Sequence, residues 1–527
     1  MHASCSCSWE SKTIPPRRDN DWDLQSRFKL KSKLKMYLLP GLSFGVILYW
    51  LLSTYTLGSL GREDRLGLEG LLEETRGGPG HSGVGGFIVE RSWAQYSPYF
   101  PVEEYKAPPS GCTIDQINII QRHGARFPTS GSSKTIISAV TKLKAVQDTL
   151  VDPKMDFIRN YTYDLGTDDL VEFGAVQSSQ AGEEAFNRYS HLVSPDNLPF
   201  IRADGSERVV LSATNWTEGF SIASSLNIPL SSILIIPQDS NDTLDDNMCP
   251  AAGSSDEQTG EWLGAWGPDV TTRLEEGAPG ANLTLEETYA LGTLCAFDTV
   301  AHTSTPPNPS TSKDTRTSKL KLKLSPWCNL FTQTDFKALE YAGDLDKFYG
   351  TGYGQPLGPV QGVGYINELL ARLTDSPVKD HTQTNRTLDS NEETFPLGRG
   401  LYADFSHDNQ MIAIYSAMGL FPQSSPLPPV PPSNKPDPSR TWKVSEMVPF
   451  GARMVVERLS CSGSSYASAS GSTDKDKFVR VLVNDKVMPL AFCGASQEGS
   501  CRLDKFVESQ AYARNDGEGD FEKCFDV

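Results

Sequence analysis

Apolar positions follow two rhythms along this chain, and the rhythms alternate. Ile117–Gln121 is a short apolar run of strand length. Tyr365, Ile366, Leu369, Leu370 and Leu373 recur at helical spacing, so they predict a helix with one apolar face. Leu401–Phe405 is strand-like again. Ser406 then reads as the N-cap of a helix carrying Met411, Ile414, Tyr415 and Met418, closed by Gly419. Phe478–Val483 and Val487–Leu490 flank Asn484-Asp485-Lys486, a hairpin signal. Strands interleaved with long helices predict an α/β fold. No internal repeat is visible.

One apolar run has neither rhythm. Met36 to Leu57 carries no charge, and about 20 apolar residues cross a bilayer. Arg27, Lys29, Lys31, Lys33 and Lys35 precede it, so the positive-inside rule puts residues 1–35 in the cytosol and the remainder outside or in a lumen. A signal anchor and a cleaved signal peptide both fit, the latter if Met36 is the true start. Residues 58–90 are glycine-rich and predict a flexible stem, leaving 91–527 as the folded domain. Thr303–Lys319, Pro422–Ser439 and Ser462–Asp476 are expected to be surface insertions too polar or proline-rich to order themselves.

Charge and cysteine content narrow the setting. The formal net charge is −18, which excludes an extended nucleic-acid partner and requires any phosphate site to be locally basic. Beyond Cys5 and Cys7 the chain has eight cysteines with no CxxC pair, which favours disulfides in an exported protein over zinc. Five N-x-S/T sites, at Asn160, Asn215, Asn241, Asn282 and Asn385, agree with export.

Two short constellations carry candidate chemistry. The first is Arg122-His123-Gly124-Ala125-Arg126-Phe127-Pro128, directly after a predicted strand. A transferred phosphoryl group spreads negative charge over its oxygens, and two guanidinium groups can bind those oxygens with paired hydrogen bonds. A neutral imidazole between them can attack phosphorus, and the adjoining arginines would keep His123 unprotonated. Gly124 removes a side chain where phosphate has to approach the backbone. The second constellation is His407-Asp408 at a predicted helix N-terminus, where an acid can protonate a departing alkoxide. By itself an Asp at such a place is more often a first-turn charge.

The first constellation resembles the signature of the histidine acid phosphatases, especially fungal phytases. The likeness runs from about Trp93 to Cys524 through Trp93–Phe100, Pro199–Val210, Leu357–Leu373, Leu401–Asp408 and Val479–Pro489. It implies a large α/β domain with a smaller, mainly helical inserted domain, roughly within 135–345. It implies hydrolysis of phytate and related phosphomonoesters, a small anionic substrate, through a phosphohistidine on His123. Asp408 would be the general acid, and Arg122, Arg126, Arg208 and His407 the phosphate ligands. Lys134, Lys154, Arg159 and Lys347 align with basic positions on the pocket rim. Asp346 beside Lys347 departs from the family pattern and counts against phytate preference. The implied disulfides are Cys112–Cys461, Cys249–Cys524, Cys295–Cys328 and Cys493–Cys501. Neither a metal nor another cofactor is implied. The alternatives are a broad-specificity acid phosphatase and, in another class, a non-catalytic surface glycoprotein on the same scaffold.

Overall fold

The computed structural model describes residues 87–304 apart from Asn247, 322–462, and 476–526 apart from Gln497. The expected cytosolic tail, the apolar run 36–57 and nearly all of the stem lie outside the described residues. So do most of the insertions at 303–319 and 462–476. Among the described residues no helix is long and apolar enough to cross a membrane. The described chain opens at Phe87 with a turn at Val89–Arg91 that buries Glu90, slightly ahead of the expected boundary.

A mixed sheet organises the fold. Its strands are β1 (Cys112–Arg122), β2 (Phe200–Asp204), β3 (Ile233–Ile236), β4 (Leu401–Ser406), β5 (Arg453–Cys461), β6 (Asp476–Val483), β7 (Lys486–Val487) and β8 (Ser500–Arg502). The order is β3-β2-β4-β1-β5-β6-β7, with β8 also on β6. The half from β3 to β1 is parallel, and from β1 onward neighbours are antiparallel. Strands covered on both faces read as near-continuous apolar runs, which is why β1 and β4 were legible without alternation. The hairpin turn is narrower than expected. Asn484 and Asp485 both take positive φ, as a two-residue turn needs, so Lys486 falls in β7.

Helices cover both faces. On one, α2 (Glu172–Tyr189) and α3 (Glu207–Ala223) bring Ala181, Ala185, Trp216 and Phe220 against Ile117, Ile201, Ala403 and Phe405. On the other, α7 (Val363–Leu373) and α9 (Asp408–Met418) pack on the sheet beneath a layer of α1 (Ser130–Ala145), α4 (Asp256–Gly277), α5 (Leu285–Ala301) and α6 (Gln333–Gly350); α8 is a single turn (Arg386–Asp389). The interval 135–345, within which a helical insertion is expected, holds α1 to α6 but also β2 and β3, which belong to the main sheet.

Two further expectations are corrected. The segment 422–439 is ordered against α6, where Tyr341 and Tyr349 hydroxyls donate to the carbonyls of Pro428 and Leu427 at 2.7 and 2.6 Å and Leu427 is buried. With two of its carbonyls held in this way, it orders on α6 although its own secondary structure is only the short 3-10 turn Pro432–Asn434. The N-cap of α9 is His407, not Ser406, which ends β4 and donates its hydroxyl to Leu244 O at 2.6 Å. Gly419 closes that helix at φ 87°. Four disulfides, Cys112–Cys461, Cys249–Cys524, Cys295–Cys328 and Cys493–Cys501, tie distant parts of the chain together.

Candidate active site

The parallel half of the sheet delivers the candidate residues. Arg122 and Ser406 are register partners at the C-terminal ends of β1 and β4, so the two constellations, far apart in sequence, begin side by side. β2 ends alongside with Asp204, and Arg208 follows in the first turn of α3. Ligand sites of open α/β sheets form at this end of the strands.

His123 is buried, and its Nδ1 lies 2.8 Å from Gly124 O. A carbonyl can only accept, so Nδ1 carries the proton and Nε2 keeps its lone pair. Burial, then the charges of Arg122 and Arg126, hold its pKa well below the ordinary histidine value. The ring is thus neutral, with Nε2 free of a proton, even in acid. The lack of a side chain at Gly124 has another cause than the one expected. A Cβ there would collide with the Gly174 carbonyl in the first turn of α2, and the same is true in reverse of Gly174 against Ala125.

Arg122 is completely buried, with Nη1 donating to the carbonyls of Gln95 and Val448 and its guanidinium 4.6 Å from the Phe450 ring centroid. Its Nε and Nη2 make no hydrogen bond, and neither do Nε of Arg126 or Nε of Arg208. Buried donors are nearly always satisfied, so four such N–H-bearing atoms around one imidazole mark a place built for an anion.

Asp408 opens α9. Its Oδ2 lies 3.0 Å from Lys347 Nζ and 3.4 Å from Arg122 Nη2. Burial pushes its pKa up, but Arg122 and Lys347 outweigh that and hold the carboxyl well below the usual range. Lys347 is not on a rim. It is buried, donates to Asn409 Oδ1 at 2.6 Å, and sits 3.2 Å from Asp346, which also accepts from the Ser255 hydroxyl at 2.9 Å.

His407 packs edge-on to His123, ring centroids 5.7 Å apart. Its Nε2 lies 2.8 Å from Asp204 Oδ2, and its Nδ1 lies 3.4 Å from Arg208 Nη2. Asp204 was missed by sequence reasoning. The signal that could have found it is its place at the end of a short apolar strand, four residues before Arg208. Burial raises its pKa, yet the hydrogen bond and charge of His407 leave it lowered overall. Asp245 stands close by and is pushed up to about 6 by burial and by Asp204. Asp204, Asp245 and His407 are the one group among the described residues with ligand atoms close enough to share an ion, all within 4.8 Å. Hydrogen bonds already account for the contact between His407 and Asp204.

The structure thus brings together Arg122, His123, Arg126, Arg208, Lys347, His407 and Asp408. Lys134, Lys154 and Arg159 are exposed, and no hydrogen bond or ion pair of theirs reaches this group; Arg159 pairs with Asp156 at 3.6 Å.

Comparisons with known proteins agree with this geometry. Residues 113–484 match the profile of the histidine phosphatase superfamily (branch 2). Phytase A of Neurospora crassa is 41% identical over 473 residues, covering 82% of this chain and 92% of that protein. Phytase A of Aspergillus fumigatus is 38% identical, covering 82% and 90%. Among solved structures, the phytase from D. castellii superposes with a TM-score of 0.64 at 20% identity, covering 84% and 89% of the two chains. That degree of identity speaks for the fold alone.

Proposed function

This chain belongs to the histidine phosphatase superfamily (branch 2), and on that premise we propose that it is an acid phosphomonoesterase that hydrolyses phytate and related esters through a phosphohistidine. The observation that carries the reading is a neutral, buried His123 ringed by arginines whose buried N–H groups lack partners.

His123 Nε2 attacks phosphorus and forms the P–N bond as the ester P–O bond breaks. Arg122, Arg126 and Arg208 neutralise the charge on the non-bridging oxygens. Asp408 donates its proton to the leaving alcohol oxygen. Water then attacks phosphorus, Asp408 takes the water's proton, and the P–N bond breaks to release phosphate. Arg122 and Lys347 hold Asp408 ionised. A bound phosphate dianion on the same cations offsets that hold and lets the carboxyl accept a proton in acidic solution. Activity is therefore confined to acidic pH. Export to an oxidising compartment fits the four disulfides, with residues 36–57 as anchor or signal peptide.

A broader acid phosphatase is the second reading, favoured by one observation. Lys347 is occupied by Asp346, Asp408 and Asn409 and offers less to a polyphosphorylated ring than its position in sequence implies. The deciding experiment measures phosphate release from phytate beside an aryl phosphate in acidic buffer, with His123→Ala as control. Fast release from phytate that the substitution abolishes supports the proposal. Release from the aryl ester alone leaves the broader enzyme, and equal activity in both proteins removes the histidine mechanism.

A further inference from the structure

Asp204 and Asp245 have no part in the proposed reaction, yet both stand beside it. Asp204 at the end of β2, Asp245 in the loop after β3 and His407 at the N-cap of α9 each offer one ligand atom, and these three atoms lie within 4.8 Å of one another. All three residues are buried, Asp204 completely. Asp204 Oδ2 faces His407 Nε2 at 2.8 Å and accepts the Ser206 backbone N–H and hydroxyl, which explains why two of the three meet. It does not explain the rest. Asp204 Oδ1 is buried with no hydrogen-bond partner. Asp245 accepts the Asp246 N–H on Oδ1 at 2.8 Å, and its Oδ2 takes no hydrogen bond among the described residues. A second carboxylate has thus been brought to a first that is saturated on one oxygen and bare on the other. A buried acceptor without a donor and two crowded carboxylates are both relieved by a cation.

We propose that Asp204, Asp245 and His407 form a binding site for one divalent transition-metal cation, of which zinc is the type, and that a cation held there inhibits the enzyme. The donor set selects the metal. One imidazole nitrogen and two carboxylate oxygens make a three-residue set of the kind that holds zinc with a fourth position open. Calcium and magnesium take six or more ligands, nearly all of them oxygen, and fit this set poorly. The dimensions agree. Ligand atoms about 2.0–2.2 Å from a tetrahedral zinc stand about 3.4 Å from one another. His407 Nε2 reaches that spacing by drawing back about half an ångström from Asp204. The widest separation the group allows, 4.8 Å, closes to it with a shift of one carboxylate.

Inhibition follows from where the site lies. The His407 ring packs edge-on to His123 with centroids 5.7 Å apart, and Arg208 Nη2 is 3.4 Å from its Nδ1. A cation on Nε2 ties the ring to Asp204 and Asp245 and withdraws it from the phosphate, so turnover falls as the site fills. The cation takes no step in the reaction. This inference goes beyond the phosphatase reading, because the site binds metal whether or not the protein turns over a phosphate ester.

Zinc binding to the full-length protein, measured near neutral pH by competition with a chromophoric chelator, tests the site apart from any activity. The wild type should hold one zinc ion tightly. Asp245→Asn removes a ligand without touching the residues assigned to the phosphate. It should weaken that zinc at least about tenfold, since even the partners behind metal ligands are worth about 10–100-fold in affinity. Its turnover of an aryl phosphate in the presence of chelator should stay near that of the wild type, and the zinc concentration for half inhibition should rise by the same factor as the dissociation constant. Equal thermal midpoints in chelator show that the variant is folded. Should it not fold, His407→Ala carries the binding measurement alone and should lose the zinc. Zinc that binds the wild type and the variant alike overturns the proposal, as it would if it sat on exposed His302 beside Asp298 or His381 beside Asp516. A wild type that binds no zinc overturns it as well. The phosphatase reading fails separately, since a His123→Ala protein that still turns over refutes it whatever zinc does.

Discussion

Two buried arginine clusters sit two residues apart on the same strands and have been put to opposite uses. Arg202 on β2 and Asp404 on β4 are register partners. Arg202 donates Nε to Asp404 at 2.8 Å and its two Nη atoms to Glu368 at 3.0 and 2.6 Å, while Arg372 adds a bond to Asp404 at 2.6 Å. Two guanidinium groups thus meet two carboxylates, and of the donors only Arg372 Nε lacks a partner. One step further along the strands the balance is broken. Arg122, Arg126, Arg208 and Lys347 gather around His123 with Asp408 as the carboxylate among them, and four guanidinium nitrogens make no hydrogen bond, one of them, Arg122 Nη2, standing 3.4 Å from Asp408. Burying unpaired cations costs several kcal/mol each, by order of magnitude, so the imbalance persists only where an anion restores it. The neutral cluster holds β2, β4 and α7 together, and the charged one waits for phosphate.

The comparison breaks most visibly if equivalent substitutions have equivalent effects. Arg202→Met strands Asp404 and Glu368 and should cost about 3–5 kcal/mol of stability, read by denaturant unfolding. Arg126→Met should leave stability unchanged or higher and lower kcat/KM by about 10²–10³. Finding the two variants alike in both assays would show that the clusters do not differ in kind.

Asp408→Asn sharpens the distinction within the charged cluster. It should slow phytate hydrolysis about 10²-fold and aryl phosphate hydrolysis less, because an aryl oxide leaves without a proton from Asp408 and only the dephosphorylation step still uses it as a base. Acid titration probes the neutral cluster. Burial raises the Asp404 pKa, but Arg202 and Arg372 bring it down from 3.8 to about 2. A depressed carboxylate contributes stability that is present above its unfolded value and lost as pH falls through the folded one. The wild type should therefore lose about 2 kcal/mol between those limits, a loss that is smaller in Arg202→Met, where one of the two cations depressing Asp404 is gone. The smallest effect belongs to Lys347→Met, which removes one of the two main cations holding Asp408 ionised. It should shift the pH optimum upward by a fraction of a unit and change kcat about threefold, measured on phytate.

The sequence reading carried far where chemistry and strand ends coincide. Arg122 and His123 were legible because they follow the apolar run 117–121 directly, whereas Asp408 was named only through the family resemblance; the two segments meet because β1 and β4 are neighbours. What escaped it depends on packing between distant segments. Lys347 looked like a rim residue, since nothing in its helix shows that α6 turns it inward against α9. Asp204 went unremarked, since nothing local in the sequence shows that it meets His407. β2 and β3 were hidden inside a helical interval because each is only a few residues long and depends on its neighbours in the sheet. The proline-rich segment 422–439 read as unordered because its order comes from hydroxyls on α6 rather than from its own apolar surface.

The central claim, that His123 becomes phosphorylated, is tested most directly by rapid-quench trapping. Enzyme mixed with labelled substrate for milliseconds and quenched in alkali should carry phosphate on a peptide containing His123. The bond should survive base and break in acid, as a phosphoramidate does, and the label should be missing from His123→Ala. Label on any other residue, or full turnover with no trapped intermediate in the wild type and undiminished activity in His123→Ala, would contradict it.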